Sequence, residues 1–176
     1  RYIFGFEESY GYLSGSFVRD KDAVNASLLI CEMFAYYRAQ GQSLLDVLEE
    51  LYKTYGYYQS RLLSFTFEGS AGFAKMQTLM STLREHAPKE IAGYPVEAVG
   101  DYQQSVLTRR DGAQEEIHLP KSNVLRFFLS GGLEAVVRPS GTEPKLKVYV
   151  TAIGESREKS CDAAEAIAKH FAAWVQ

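Results

Sequence analysis

One short segment of the sequence, Arg138 to Lys145, combines groups that suit the binding of an anion. It reads Arg-Pro-Ser-Gly-Thr-Glu-Pro-Lys and lies between two strongly apolar segments. Its prolines stiffen the loop, and Gly141 permits a positive φ, which would turn successive backbone N–H groups toward an anion. Ser140 and Thr142 add hydroxyl donors, and the planar Arg138 guanidinium matches two phosphate oxygens. The segment therefore predicts a site for a phosphate group.

This loop also has a plain structural interpretation, because Pro, Gly, Ser and Thr are the residues that any tight connection between strands uses. In that case its Arg and Lys only solvate the rim of the sheet, and the residues alone leave both interpretations open. The loop does not match the nucleotide-binding pattern G-x-x-x-x-G-K-[ST], and no helical pattern follows it. A nucleotide phosphate loop is therefore disfavoured.

A second segment, Gly5 to Tyr12, suits the recognition of a sugar. It reads Gly-Phe-Glu-Glu-Ser-Tyr-Gly-Tyr. Its carboxylates can accept hydrogen bonds from vicinal hydroxyls, and a neighbouring aromatic ring suits the apolar face of a sugar. Strand alternation would point Glu7 and Ser9 to the same side, so we expect these two to act together. Arg19 or Lys21 could reach an anion held by this loop, although a solvated strand-to-turn junction remains the alternative for the segment.

The elements that follow this segment are predicted to be two helices. The apolar stretch from Ala23 to Ala39 contains charged side chains whose transfer into lipid is costly, so we interpret it as a buried helix and not as a membrane span. Asp20 or Asp22 can cap its start, and Gly41 can end it. The residues from Ser43 to Asp46 are typical of a capping box and indicate a second helix.

The rest of the chain changes to short strands and turns with one internal and one closing helix. Leu63, Phe65 and Phe67 alternate with polar residues, which indicates a strand with one buried face. Further strands are expected around Val96–Leu107, Asn123–Leu129, Leu133–Arg138 and Lys145–Ile153. The order, roughly β-α-β-β-β-β-α, predicts an α+β domain in which helices cover one face of a mainly antiparallel sheet. We therefore divide the chain into residues 1–57 and 58–176.

The composition excludes several classes of protein. The 176 residues are 46% apolar, and 19 Lys and Arg against 22 Asp and Glu give a net charge of −3. Such a chain is not disordered, and its acidic balance does not suggest a nucleic-acid partner. Its 2 cysteines and 3 histidines are scattered, which argues against a disulfide framework or a His-rich metal site. We expect a reducing compartment, the cytoplasm, and no membrane partner.

Taken together, the two loops resemble those of the α-D-phosphohexomutases, the family of phosphoglucomutase and phosphomannomutase. In that family a Gly-x-Glu-x-Ser-Gly-like loop of the third domain binds the sugar hydroxyls. Residues 19–22 also resemble the Arg-x-Lys-Asp found just after that loop in phosphoglucomutases. The resemblance implies that Glu7, Ser9, Arg19 and Lys21 contact the substrate.

The match of the second loop to this family is complete. An Arg-x-Ser-Gly-Thr-Glu-Pro loop in the family's fourth domain binds the phosphate that does not react, and the same motif stands here. The resemblance implies that Arg138, Ser140, Gly141 and Thr142 bind this phosphate.

The resemblance covers the whole chain. It implies that residues 1–57 are the C-terminal part of the third, α/β domain, and that residues 58–176 are the fourth, TBP-like domain. The family's phosphoserine loop and its Asp-Gly-Asp-x-Asp-Arg metal loop belong to the first two domains, and neither pattern occurs here. We therefore expect the C-terminal portion of a longer enzyme, without catalytic residues or metal ligands of its own, inactive alone, and partnered by the missing N-terminal domains.

For the whole enzyme, the resemblance implies the reversible conversion of glucose 1-phosphate to glucose 6-phosphate. The reaction would use a phosphoserine, Mg²⁺ and glucose 1,6-bisphosphate as the intermediate. The sequence Glu-Glu-Ser-Tyr-Gly departs from the Glu-Met-Ser-Gly-His and Glu-Gln-Ser-Gly-His forms of phosphomannomutase and phosphoglucosamine mutase, which favours glucose and leaves mannose or pentose phosphates open. The alternative is a stand-alone, non-catalytic module that senses a sugar phosphate or another anion.

Overall fold

The computed structural model describes residues 2–7, 10–141 and 143–175. It divides into two compact units, Arg1–Tyr55 and Gly56–Gln176, which are described separately. The sequence pattern predicts a boundary after residue 57, whereas the structure divides after Tyr55. The boundary lies two residues earlier because the first strand of the second unit begins at Tyr57.

The first unit consists of a short hairpin and two helices. Strands β1 (Phe4–Phe6) and β2 (Tyr12–Ser14) pair antiparallel. Helices α1 (Ala23–Ala39) and α2 (Leu44–Tyr55) follow and confirm the two predicted helices.

Side chains fix where both helices begin. The Asp22 carboxylate accepts hydrogen bonds from the N–H groups of Val24 and Asn25, at 3.0 and 3.1 Å, and so caps α1. At α2 the Ser43 hydroxyl accepts from the Asp46 N–H at 3.1 Å, and the Asp46 carboxylate accepts from the Ser43 N–H at 3.0 Å. This reciprocal pair confirms the predicted capping box, with Asp in the place usually taken by Glu.

Helix α1 carries apolar residues on all sides, with Glu32 and Arg38 as its charged residues, yet no residue of it is buried. The sequence pattern predicts a buried helix, and this part of the prediction was wrong for the unit as it stands. A two-stranded hairpin and one further helix are too small to enclose a helix of 17 residues. Its large exposed side chains include Val24, Leu28, Ile30, Met33 and Phe34.

No helix within residues 2–7, 10–141 and 143–175 is both long enough and apolar enough to cross a membrane.

The second unit is built on one large antiparallel sheet. Its strands are β3 (Tyr57–Thr66), β4 (Glu90–Ile91), β5 (Tyr94–Asp101), β6 (Val106–Arg109), β7 (Gln114–Glu116), β8 (Leu125–Leu129), β9 (Leu133–Pro139) and β10 (Lys145–Gly154). Its helices are α3 (Gly69–Glu85) and α4 (Arg157–Val175). The strand order is β3-β10-β9-β8-β5-β6-β7, with β4 paired to β5.

Both helices of this unit pack on the same face of the sheet, as predicted for an α+β domain. Met76, Met80 and Leu83 of α3 belong to one buried cluster with Ile167 and Phe171 of α4. The sheet contributes the inward side chains of its central strands to this cluster: Leu125, Phe127, Leu129, Leu133, Ala135, Val137, Leu146, Val148, Val150 and Ala152. Side chains at the alternate positions of β8, β9 and β10 point to the opposite, open face of the sheet.

The segment predicted as one strand around Val96–Leu107 is two strands, β5 and β6, joined by a tight turn. The Asp101 carboxylate makes the turn by accepting from the N–H groups of Gln103 and Gln104, at 3.0 and 3.3 Å. Alternating apolar residues continue on both sides of this turn, so periodicity alone did not reveal it.

A buried polar network ties this turn to the helical layer. Arg84 near the end of α3 donates from Nε to Asp101 at 2.9 Å and from its Nη2 to the Asn123 side-chain oxygen at 2.8 Å. The Arg84 and Asp101 side chains are only 18% and 10% exposed, so water does not replace these hydrogen bonds when they are lost.

We expect Arg84→Ala to lower the free energy of unfolding of the second unit by about 2–3 kcal/mol, because it removes the cation beside the buried Asp101 carboxylate and a donor from the partly buried Asn123 amide oxygen. Urea unfolding followed by the fluorescence of Trp174, the single tryptophan, measures this unit. The matched control is Arg109→Ala, which removes an exposed ion pair to Glu115 and should unfold close to the wild type. Equal midpoints for the two variants would contradict the assignment.

We also expect the chain to associate as its concentration rises, because many large apolar side chains of α1 are exposed together on one helix. Light scattering measures this. Replacing both Leu28 and Phe34, which are 59% and 55% exposed, by Lys should restore a monomer. The control Leu119→Lys alters an equally exposed side chain (59%) of the second unit and should not. A wild-type chain that stays monomeric at every concentration would refute this prediction.

Candidate functional site

Glu7, Tyr10 and Gly11, the described residues between the two strands of the β1–β2 hairpin, belong to the sugar loop. The Glu7 N–H donates to the Gly11 carbonyl oxygen at 2.8 Å, and the chain reverses between them. Strand β1 already ends at Phe6, so strand alternation does not decide where Glu7 and Ser9 point. Ser9 lies outside the described residues, as does Glu8.

The structure brings Glu7, Arg19 and Lys21 together, although up to 14 positions separate them in the sequence. All three line one cavity of about 190 Å³ in the first unit. This cavity is smaller than the roughly 300–1,000 Å³ typical of drug-sized ligands, so it suits one small polar group or ring. Three of the four substrate-contacting residues expected in and just after the sugar loop therefore share one pocket.

Lys21 is held in this pocket by two carboxylates and by a glycine. Its Nζ lies 2.7 Å from Asp20 Oδ1 and 3.6 Å from Glu7 Oε1. Its aliphatic stem crosses Gly11 so closely that a Cβ added there would stand 2.2 Å from Lys21 Cδ. Any side chain at position 11 would therefore displace Lys21 from the pocket.

The charges in this pocket stabilise one another. The hydrogen bonds and charge of Lys21 lower the pKa of Asp20, and the hydrogen bond to Asp20, with the charges of Asp20 and Glu7, raises the pKa of Lys21. Lys21 therefore remains a cation at neutral pH and above. Its interaction with Asp20 is present at neutral pH and is lost only as Asp20 protonates, below the ordinary pKa of an Asp.

Tyr10 is the residue of this loop that the sequence did not single out. Its φ is +65°, a left-handed conformation that costs a side-chain-bearing residue about 1–2 kcal/mol. Its side chain is 86% exposed, and no hydrogen bond or ring contact joins it to another of the described residues. The unfavourable backbone is therefore not offset by packing within the described part of the chain.

The phosphate-loop candidate is the connection between β9 and β10, and backbone hydrogen bonds hold both of its sides. The Ser140 N–H donates to the Lys145 carbonyl at 2.7 Å, and the Lys145 N–H donates to the Glu143 carbonyl at 2.7 Å. The Phe67 N–H donates to the Pro144 carbonyl at 2.8 Å, which fixes the loop to the segment after β3. Thr142 lies outside the described residues.

Two details of the predicted anion nest need correction. Gly141 is not among the residues with positive φ, so this glycine does not supply the expected left-handed conformation. The Ser140 N–H is already donated to Lys145, which leaves its hydroxyl, and not its N–H, for an anion. An added Cβ at Gly141 would meet nothing within 4 Å, so the glycine leaves the outer side of the loop open to a ligand.

Arg138 has a neighbour that the sequence analysis missed. Lys147 stands directly opposite it in the antiparallel pairing of β9 and β10, on the open face of the sheet, and Ser64 of β3 stands on the other side of Lys147. Like charges opposite one another destabilise a sheet. No ion pair joins Arg138 or Lys147 to another of the residues that the structure describes. These two cations are therefore available to a shared anion.

The carboxylate within this loop is neutralised. Lys145 Nζ lies 3.1 Å from Glu143 Oε1, and both side chains are partly exposed. An unpaired Glu143 would repel a phosphate dianion bound beside it, whereas the ion pair cancels most of its charge. Lys145 and Lys147 point to the same face of β10, and of these two only Lys145 has an ion-pair partner among the residues that the structure describes.

A cavity of about 490 Å³ in the second unit lies between the end of α3 and strands β5 and β6. None of its lining residues belongs to the 138–145 loop, and its least exposed charges, Arg84 and Asp101, are paired with each other. We therefore treat it as structural.

Among the described residues, no three His, Cys, Asp or Glu side chains are placed to hold a metal ion, so these residues do not fit the Mg²⁺ site implied for the whole enzyme.

Comparisons with known proteins agree with both loops. The family model "Phosphoglucomutase/phosphomannomutase, alpha/beta/alpha domain III" matches residues 1–55. The model "Phosphoglucomutase/phosphomannomutase, C-terminal domain" matches residues 88–168. The two models belong to one family and together match more than half of the chain.

Named relatives point the same way. The chain is 45% identical to a phosphoglucomutase of Staphylococcus aureus (strain bovine RF122 / ET3-1) over 150 residues, 85% of this chain and 27% of that protein. It is 39% identical to the phosphoglucomutase of Staphylococcus epidermidis over 169 residues, 96% of this chain and 30% of that protein. The chain thus spans less than a third of the length of these relatives.

A solved structure of parafusin, a phosphoglucomutase from Paramecium in its open form, resembles this fold with a TM-score of 0.55. The match covers 92% of this chain and 27% of that one at 18% identity, so it supports the fold alone.

We expect NMR titration to place the pKa of Asp20 below the ordinary range of an Asp, and Lys21→Met to raise it toward that range, because Met removes the ammonium hydrogen bond and the charge that lower it and keeps only the backbone N–H hydrogen bond. The control Lys159→Met removes a similar exposed ion pair, to Glu155, and should change the pKa of Glu155 but not that of Asp20. An Asp20 titration that is the same in the wild type and in Lys21→Met would refute this geometry.

Proposed function

The chain belongs to the phosphoglucomutase/phosphomannomutase family, and we propose that it carries the part of a phosphoglucomutase that recognises the hexose phosphate. The observation that carries this proposal is the pair of adjacent cations, Arg138 and Lys147, at the root of the 138–145 loop, neither of which forms an ion pair with another described residue. The motif of that loop is the one expected to bind the phosphate that does not react.

Within this proposal the phosphate is bound by charge and by hydroxyl groups. The Arg138 guanidinium donates two parallel hydrogen bonds to two phosphate oxygens, and the Lys147 ammonium adds a second positive charge from the neighbouring strand. The Ser140 and Thr142 hydroxyls donate to the remaining oxygens, and Gly141 leaves room for the phosphate to approach the backbone. Each charge-assisted hydrogen bond of this kind contributes about 1.5–3 kcal/mol.

The sugar is recognised by the loop of the first unit. The Glu7 carboxylate accepts hydrogen bonds from sugar hydroxyls, and Ser9 completes the pair expected from the family. Arg19 and Lys21 line the same cavity as Glu7 and add donors for a hydroxyl or for a negative oxygen. Gly11 keeps Lys21 in place.

Such a division of labour suits a mutase. In converting glucose 1-phosphate to glucose 6-phosphate through glucose 1,6-bisphosphate, the enzyme must bind the sugar in two orientations. Arg138 and Lys147 read only a phosphate, whichever carbon carries it, and Glu7 reads hydroxyls that occupy equivalent positions in both orientations. The proposal takes glucose as the sugar because the loop is of the Glu-Glu-Ser-Tyr-Gly type.

The catalytic chemistry belongs to other parts of the proposed whole enzyme. We assign residues 1–57 to the third domain and residues 58–176 to the fourth, with the phosphoserine and the Mg²⁺ ligands supplied by N-terminal domains that act as their partners. The 176 residues alone should bind the hexose phosphate without converting it. The proposal places the enzyme in the cytoplasm, where two unpaired cysteines stay reduced.

We expect Arg138→Ala to weaken the binding of glucose 1-phosphate by about 1.5–3 kcal/mol, and Lys147→Ala to weaken it less, because a single ammonium lacks the paired geometry of a guanidinium. NMR titration of the chain with glucose 1-phosphate measures both. The control Lys169→Ala removes one positive charge from α4, on the opposite face of the sheet, and should bind as the wild type does.

Losses of equal size in all three variants would show a general effect of net charge and would overturn the proposed phosphate site. The absence of ligand-induced shifts at both loops of the wild type would count against the proposed function as a whole.

A further inference from the structure

Tyr10 has an unfavourable backbone conformation, and no contact of its side chain with another described residue offsets the cost. Three residues other than glycine have positive φ, and Tyr10 is the bulkiest of them and the only one in a candidate site among the described residues. Left-handed backbone at a residue with a large side chain persists where a function maintains it. A glycine at this position would adopt the same φ without strain, so we ask what the ring does.

The frame around Tyr10 is well held. On one side the Glu7 N–H closes the turn onto the Gly11 carbonyl at 2.8 Å, and on the other the stem of Lys21 packs across Gly11. The backbone that carries the ring is thus fixed at the residue that follows it. An aromatic side chain on a fixed backbone has few torsions left to order, so it loses little conformational entropy when it meets a ligand.

The position of Tyr10 in the chain also borders a cavity lined by charged side chains. Tyr10 is adjacent in the chain to Gly11, which lines the cavity shared by Glu7, Arg19 and Lys21. Glu7, Arg19 and Lys21, which line this cavity, can each bind only a polar part of the ligand. A pyranose ring has an apolar face of C–H groups as well as its hydroxyls, and an exposed aromatic face is the surface that complements it.

We propose that Tyr10 is a specificity-determining residue whose ring stacks on the apolar face of the sugar. This inference rests on the proposed function, because it concerns the same hexose phosphate. It assigns recognition of the sugar ring to the strained residue, whereas Glu7 reads hydroxyls and Arg138 with Lys147 reads the phosphate. The loop therefore distinguishes a sugar phosphate from a free phosphate by contact with carbon as well as by hydrogen bonds.

The test compares Tyr10→Gly and Tyr10→Phe in the whole chain, titrated by NMR with glucose 1-phosphate and separately with inorganic phosphate. We expect Tyr10→Gly to bind glucose 1-phosphate about three- to tenfold more weakly, the range of one aromatic contact, and to bind inorganic phosphate as the wild type does. Tyr10→Phe keeps the ring and should retain wild-type affinity for both.

The glycine variant also separates a loss of binding from a loss of folding. Because glycine relieves the left-handed strain, the thermal midpoint of Tyr10→Gly should not fall. The control Ser105→Gly relieves similar strain in the β5–β6 turn, where φ is +58°, and should leave both affinities unchanged. Weaker sugar-phosphate binding with intact stability is the result that supports the inference.

Other outcomes overturn it. Full affinity of Tyr10→Gly for glucose 1-phosphate would overturn the inference and leave the proposed function standing, provided that Arg138→Ala still weakens binding. An equal loss for inorganic phosphate would also overturn it, since that result assigns to Tyr10 a role in holding the loop. A wild-type chain that does not bind glucose 1-phosphate would remove the proposed function and this inference together.

Discussion

The antiparallel pairing of β9 with β10 is the interaction on which the second unit depends. Its register places Arg138 opposite Lys147 on the open face and Val137 opposite Val148 in the core, so one set of backbone hydrogen bonds builds both the site and its support. A shift by one residue would send the two cations into the apolar layer beneath α3 and α4 and expose the valines. The burial of the core therefore fixes the position of the charges.

The loop between these two strands shows how the fold manages charge near a candidate anion site. Its carboxylate, Glu143, is paired with Lys145, and the two remaining cations are left without a partner among the described residues. Two adjacent free cations destabilise the sheet when nothing is bound, and a bound anion removes that repulsion. The first unit also has an ion pair at its candidate site. There Asp20 keeps Lys21 protonated within the cavity that Glu7 lines.

The two units differ in how completely they bury their apolar residues. In the second unit both helices close one face of a broad sheet, and side chains such as Phe127 and Ile167 are fully buried. In the first unit the helix caps are formed and a backbone hydrogen bond joins Glu7 to Gly11, yet α1 keeps its apolar surface in solvent. Local hydrogen bonds thus hold the described ends of the sugar loop, while tertiary packing defines the position of the phosphate loop.

The sequence by itself determined what depends on neighbouring residues. The helix Ala23–Ala39, the capping box at Ser43 and the phosphate-loop motif follow from periodicity, capping chemistry and residue type, and the two loops pointed to the family that the comparisons later showed. Only the tertiary structure decided what depends on pairing between distant segments or on backbone angles. It placed Lys147 beside Arg138, divided the segment around Val96–Leu107 at Asp101, and gave Tyr10 rather than Gly141 the left-handed backbone. Strand register and φ are set by long-range packing and by turn closure, and no pattern of residue types within one segment encodes them.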